Sequence, residues 1–273
     1  MKKLSHFALG ALACVVMYSC QKDKSLSTEK PISEDVLTKV KALGFGTGTL
    51  VRHEDGYMVE GDIILTEEAL NSKPSYTLLR FPNTEQYRTF NTVNVTNYPL
   101  IKVALDTKLS AINGYSQALT ELVRRYNAEN LAIRFQVVSS GAHITFVNGN
   151  GNFLASAGFP SGSGVPYGEV KVNARAIGSG TSPTFINYLA TIISHEAGHC
   201  IGYRHTDWFN RALSCGGAPT NEGQETTGVG AVLIPGTPAK PSYDNASWML
   251  SCIGSGVNRP FSSNDKTALN YVY

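Results

Sequence analysis

The chain has 273 residues, enough for one large domain or for a domain with a smaller segment attached. A net charge of +2 without a basic stripe argues against nucleic-acid binding. No stretch reaches the roughly 18 apolar residues needed to cross a bilayer. Hydrophobic content of 42% fits a globular protein, and charged content of 16% is low.

Residues 1–20 read as an export leader. Lys2 and Lys3 form a basic start, and Phe7 to Met17 is an apolar run too short to span a membrane. The run closes on Met17-Tyr18-Ser19-Cys20, which resembles a bacterial lipoprotein signal and makes Cys20 the lipidated residue. The expected location is then the bacterial outer membrane or cell surface, with simple secretion as the alternative. The polar residues after Cys20 resemble the export tags of surface lipoproteins. Membrane contact is expected only through this anchor, and the protein is expected to be a monomer.

Residues 21–90 read as a tether and pro-segment. A helix is expected from Ser33 to Leu43, with Ser33 as cap and Val36, Leu37 and Val40 on one side. Gly44-Phe45-Gly46-Thr47-Gly48 ends it as a turn. Tyr57 to Glu68 reads as short strand with Gly61-Asp62 at a bulge or turn. Residues 71–95 are polar, and the catalytic domain is expected to occupy residues 91–273.

Within that domain, Pro99 to Leu105 is an expected strand. Asn113 to Glu129 is a helix with Ile112, Tyr115, Ala118, Leu119, Leu122, Val123 and Tyr126 along one stripe. Ile133–Val138 and Ala142–Val147 alternate as strands. Residues 149–168 form a Gly/Ser-rich loop. Glu169, Lys171 and Asn173 alternate with apolar partners, which suggests an edge strand over a cleft, able to pair with an extended peptide. His143 in this region reads as structural.

Ser182 and Pro183 then start a helix as cap and first-turn residue. It carries His195-Glu196-Ala197-Gly198-His199-Cys200-Ile201-Gly202-Tyr203-Arg204-His205, the pattern H-E-x-x-H-x-x-G-x-x-H. Residues four apart share a helix face, so His195 and His199 can offer two ring nitrogens to one metal. Gly202 can turn left-handed without a Cβ penalty, and His205 returns as third ligand. Three protein ligands leave a fourth position for water, the mark of a catalytic rather than a structural zinc. Glu196 is placed to act as general base.

This pattern resembles the metzincin zinc endopeptidases, and Ser247-Trp248-Met249 supplies the Met-turn candidate, Met249. The run from Ile193 to Trp208, with Ser247 to Cys252 and Asn258-Arg259-Pro260-Phe261, more closely resembles the bacterial dual-action HEIGH metallo-peptidases. Ala197 stands where that family's name has isoleucine. The resemblance implies an α+β fold: a metzincin-like zincin with a small mixed sheet, a ligand-bearing helix and a Met-turn in the C-terminal subdomain. It also implies one catalytic Zn²⁺ and a protein or peptide substrate. The pro-segment around Gly61-Asp62 is similar to that of astacin-type metzincins, in which an aromatic-x-Gly-Asp motif sets an aspartate on the zinc. Val59 replaces the aromatic residue, and Asp62 becomes the candidate zymogen switch.

Astacin-like enzymes carry a tyrosine two residues after the Met-turn methionine. That position is Ser251 here, with Tyr243 and Tyr203 as candidate substitutes. Asp207 either orients an imidazole or caps a turn. Of five cysteines, Cys14 and Cys20 fall in the leader. The preferred pairing of the rest is Cys215–Cys252, which leaves Cys200 as a buried thiol; the other two pairings stay open. Asn210 to Ala246 is a long irregular stretch, expected to line the primed side of the cleft. A last helix, capped by Ser263 or Asn264, runs through Ala268 and Leu269 to Tyr271.

The leading expectation is a zinc endopeptidase made as a latent precursor. One rival is a lipid-anchored adhesion module that keeps the zinc site without turnover. Another is a hydrolase of crosslinks or glycopeptides.

Overall fold

A computed structural model describes residues 31–43, 45–71, 86–217, 230–238 and 245–273. All but Pro31 lie in one compact unit, Ile32–Tyr273. The leader with Cys20, and Tyr243, fall outside the described residues. Among those described, no helix is long and apolar enough to cross a membrane.

The N-terminal part opens with helix α1 (Glu34–Ala42), where Ser33 Oγ accepts a hydrogen bond from Val36 N at 3.4 Å. A three-stranded antiparallel sheet follows: β1 (Val51–His53), β2 (Gly56–Val59) and β3 (Ile63–Leu65). Short helix α2 (Glu67–Asn71) closes this part. It has its own small core of Val40, Leu43, Phe45, Val59, Ile63 and Leu65.

Strand β4 (Tyr87–Arg88) lies in the stretch read from sequence as pro-segment, yet it is bonded to the body that follows. Thr89 N donates to Gly202 O at 2.7 Å, and Arg204 N donates to Tyr87 O at 3.0 Å. Then come β5 (Leu100–Leu105), α3 (Thr107–Ser110), α4 (Tyr115–Ala128), β6 (Arg134–Val137) and β7 (Ile144–Asn148). Next follow β8 (Ala155–Ser156), β9 (Glu169–Val172) and α5 (Ala174–Ile177). The long helix α6 (Pro183–Ile201) precedes α7 (Ala212–Cys215), β10 (Val232–Leu233) and α8 (Ser263–Val272).

The main sheet is small and mixed, in the order β6-β5-β7-β9-β8. Its first four strands are parallel and β8 runs antiparallel to β9. Helices α4 and α6 pack together: Tyr126 OH donates to Ser194 O at 2.8 Å, and Arg125 Nη1 to Thr191 Oγ1 at 3.0 Å. The large core draws Tyr115, Ala118, Leu119, Leu122 and Tyr126 from α4, five of the seven residues of the expected stripe. Ile112 and Val123 pack against its margin.

Three expectations need correction. Strand β9 is not the edge: β8 is, inside the stretch read as a Gly/Ser loop. The alternation of β9 reflects a polar side covered by another segment, because Lys171 pairs with Glu54 and Asp55 at the β1–β2 turn. Helix α8 is capped by Ser262 rather than Ser263 or Asn264, in a capping box with Asp265. His143 is structural as expected, its Nδ1 accepting from Lys102 N at 3.2 Å.

The N-terminal part lies along the sheet edge beside the long helix. Ile63 bridges Ala157 in parallel register; Ile64 N donates to Ala157 O at 2.7 Å and Ala157 N to Asp62 O at 2.8 Å. This is strand addition, with main-chain hydrogen bonds supplying the grip.

Candidate metal centre and active site

Helix α6 starts where Ser182 Oγ accepts from Phe185 N at 3.2 Å and Pro183 occupies the first turn. From Tyr188 to Ile201 every side is buried, so the ligand positions lie in a rigid, dry part of the helix. Gly202 ends it at φ 112°, its N–H bonded to Gly198 O and His199 O at 3.0 and 2.9 Å. An added Cβ there would sit 2.7 Å from Asn91 O. Gly202→Ala therefore combines left-handed strain with a backbone clash. We expect a loss of about 1–3 kcal/mol, read as a lower urea midpoint; an unchanged midpoint would contradict this role.

The turn returns His205 to the helix. His195 Nε2 lies 3.0 Å from His199 Nε2 and 3.3 Å from His205 Nε2. His195 Nδ1 is bonded to Trp248 O and His199 Nδ1 to Tyr203 O, both at 2.8 Å. A carbonyl only accepts, so both Nδ1 atoms are protonated and both Nε2 atoms present lone pairs inward. Facing lone pairs at 3.0 Å repel unless a cation lies between them. Burial, then the neighbouring His195 and His205, hold the His199 imidazole well below its ordinary pKa, in the neutral form that ligates.

Asp62 completes the cluster, although it lies far away in sequence. Its Oδ2 is 3.1 Å from His205 Nε2 and 3.7 Å from His195 Nε2. One ligand atom from each of Asp62, His195, His199 and His205 fits within a 4.8 Å span. Asp62 is not the solvated turn residue that its local sequence permits. Burial alone would raise its carboxyl, but the charge of His205 and the nearness of the His195 and His205 imidazoles outweigh that and hold it low.

Glu196 Oε2 and Asp62 Oδ1 are buried without a hydrogen-bond partner. Orphaned carboxylate oxygens beside three converging imidazoles are what a metal and its water would satisfy. Three nitrogens and one oxygen suit Zn²⁺, so the residues present fit the ion. Burial, then the Asp62 carboxylate, push the Glu196 carboxyl well above its ordinary range, with His205 opposing.

The chain beneath the helix is placed through Gly198. A Cβ there would meet Met249 Sδ at 2.6 Å and Trp248 Nε1 at 3.1 Å, so glycine is what lets the 247–250 turn approach. Met249 is fully buried, and its carbonyl accepts from Thr206 N at 2.8 Å. Asp207 acts on turns rather than on an imidazole: its Oδ1 accepts from Ser251 N and Ser251 Oγ, and its Oδ2 from Ser214 Oγ. Cys215 and Cys252 are bonded to each other, and Cys200 is a buried free thiol. Burial raises the Cys200 thiol well above its usual pKa, which suits an inert packing residue. Tyr203 is also buried, its hydroxyl donating to Ala268 O at 3.2 Å, so it does not face the metal cluster.

Beside Glu196 and His195 opens a cavity of about 260 Å³. Its walls include Phe153, Leu154, Ile192, Leu250, Ile253 and Arg259, with Gly61 and Asp62 at the same site. The cavity is mainly apolar and could take a side chain adjoining the metal cluster.

Sequence reasoning missed three contributors. Asp265 accepts from Ser262 N, Trp248 N, Ser247 Oγ and Gln86 Nε2, and so fixes the segment whose carbonyl holds His195. Its S-x-x-D spacing to Ser262 was the available signal. Glu60 and Arg204 form a buried ion pair that no local pattern announces.

No curated protein matches the chain. Among solved structures, it is similar to high choriolytic enzyme 1, a hatching-enzyme zinc protease from the medaka fish Oryzias latipes. That match has 18% identity and a TM-score of 0.25, covering 43% of this chain and only half of that enzyme. It is also similar to myroilysin, at 16% identity and a TM-score of 0.33, over 62% of this chain and 81% of that one. A second myroilysin structure matches at 16% identity and a TM-score of 0.34, with coverages of 62% and 90%. The family model of the dual-action HEIGH metallo-peptidases matches residues 57–273, most of the chain and all of the metal cluster, and the chain belongs to that family.

Proposed function

We propose that the protein is a zinc-dependent endopeptidase made as a latent precursor. The observation that carries this is the buried cluster of His195, His199, His205 and Asp62, with Glu196 beside it and its Oε2 unpartnered. A zinc ion held there would lower the pKa of a water from 15.7 to about 7 and polarise the scissile carbonyl.

Every other part belongs to the chain itself. His195, His199 and His205 would hold the metal, two of them oriented by backbone carbonyls. Glu196 takes the water's proton and returns it to the leaving amine. Met249 forms an apolar floor and does not ligate. The edge at β8, where Ile63 now bridges the neighbouring Ala157, receives the extended substrate. The apolar cavity next to Glu196 takes one substrate side chain.

Latency follows from Asp62 and from the segment that carries it. Its carboxylate would be a further ligand to the metal in place of a water, and Ile63 bridges Ala157 at the edge where a peptide would add. Because residues 86–90 are bonded into the catalytic body, we place the processing stretch at residues 72–85. We further propose export as a lipoprotein anchored through Cys20.

Asp62→Ala tests the latency. The uncut full chain should gain casein-cleaving activity of about tenfold or more, since ~1.4 kcal/mol of lost hold is already tenfold in the open population. A full chain that stays as silent as wild type while keeping its zinc would remove Asp62 from the account.

A further inference from the structure

The segment that carries Asp62 presents a second carboxylate to the catalytic body. Glu60 is 1% exposed and sits at φ 59°, a conformation that residues with a Cβ seldom adopt. Its N–H donates to Thr49 Oγ1 at 3.1 Å, and its carbonyl accepts from Arg211 Nη1. That turn delivers the Glu60 side chain to Arg204, whose Nη2 donates to Glu60 Oε1. Glu60 Oε2 stands 3.5 Å from Nδ1 of His205.

Arg204 directly precedes the third histidine and is fully buried. Its guanidinium lies over the Phe45 ring, 4.5 Å from the centroid, and its Nη1 donates to Gly230 O at 3.3 Å. Its Nε has no hydrogen-bond partner among the described residues. Among the described residues, two of the three groups its side chain touches, Glu60 and Phe45, therefore belong to the segment that processing would remove. What remains is a guanidinium beside the metal cluster, held by one carbonyl and missing its counter-charge. A buried cation stripped of its carboxylate is strongly destabilised, and a planar guanidinium is built for another carboxylate. Arg211, which bonds the Glu60 carbonyl, adds a second positive charge on the same side.

We propose that Arg204 is a specificity-determining residue that binds a carboxylate-bearing substrate side chain close to the scissile bond, and that Glu60 fills this subsite in the latent chain. This rests on the endopeptidase reading above and adds its substrate class: peptides with a glutamate or aspartate near the cut. Strand addition by the segment sets the spacing, because Glu60 lies two residues from the residue on the metal cluster.

The test uses the zinc-loaded full chain nicked within residues 72–85. Substrates are peptide pairs that differ only by Glu against Gln at each of the four positions on either side of the cut. At one position kcat/KM for the Glu peptide should exceed that for the Gln peptide by about tenfold or more, the scale of a charge-assisted hydrogen bond. In Arg204→Met that ratio should fall to about one, and Arg204→Lys should restore part of it. Because Arg204 is buried and its variants can misfold, a companion measurement leaves the protein unchanged. A synthetic peptide of residues 57–65 should inhibit the nicked wild type about tenfold better than its Glu60→Gln form. Equal rates for Glu and Gln peptides at all positions would overturn the subsite and leave the endopeptidase reading standing. An Arg204→Met variant that loses the same factor on both peptides would assign Arg204 a purely structural role. Cleavage of no peptide would overturn both readings.

Discussion

Replacing Glu196 by glutamine should lower kcat by about 10²- to 10⁴-fold while leaving zinc content unchanged, the range lost with a general base. The side chain keeps its volume, so the buried site next to His195 is not opened. What disappears is the ability to take a proton and hand it to the leaving amine. Glu196 is not one of the converging ligand residues, His195, His199, His205 and Asp62. Metal content and activity should therefore separate cleanly. Zinc analysis alongside turnover of a quenched fluorescent peptide by the nicked chain checks this. Activity within about threefold of wild type would put the base elsewhere, since a real general base is worth far more.

Asp265→Ala should be the most destabilising single change outside the metal ligands. Asp265 is fully buried and accepts from Ser262 N at 2.8 Å, Trp248 N at 3.1 Å, Ser247 Oγ at 2.7 Å and Gln86 Nε2 at 2.7 Å. Alanine leaves these donors buried, at about 1–3 kcal/mol for each one that finds no substitute, so a total of about 3–5 kcal/mol is expected. The damage should reach the metal, because the residue whose N–H it holds, Trp248, also supplies the carbonyl that orients His195. Urea unfolding with a parallel zinc titration would show a lower midpoint and weaker zinc binding together. A midpoint shift worth less than about 1 kcal/mol would mean that water or neighbours replace the carboxylate.

The metal centre was legible because its chemistry is local. Two ligands four apart on a helix, a glycine able to reverse the chain and a third ligand just beyond all fall within eleven residues. The large elements were legible for a similar reason: the stripe of α4 and the cap of α6 repeat over many residues. The errors came where a pattern was short or its partner distant. Strand β8 has two residues, too few to show a period, and its pairing with β9 makes it the edge. The polar residues of β9 suggested an open side, but the β1–β2 turn covers Lys171 with two carboxylates.

The cross-links that assemble the site are longer still in sequence. Gln86 and Asp265 are 179 residues apart, and Glu60 and Arg204 are 144 apart. Nothing in the neighbourhood of either residue selects its partner. For Asp62 the Gly-Asp turn alone allowed a solvated residue, and only the resemblance to a pro-segment motif set it towards the metal. The fold then explains how it arrives, since the backbone bonds of Asp62 O and Ile64 N to Ala157 fix the turn against the sheet edge.

The most direct measurement is cleavage of casein by the zinc-loaded full chain before and after a single cut within residues 72–85, with zinc content determined on both samples. The account predicts about one zinc per chain in each, silence before the cut and activity after it, because one cluster of three imidazoles takes one ion. Equal activity before the cut would contradict latency, and zinc without activity in either sample would contradict the endopeptidase.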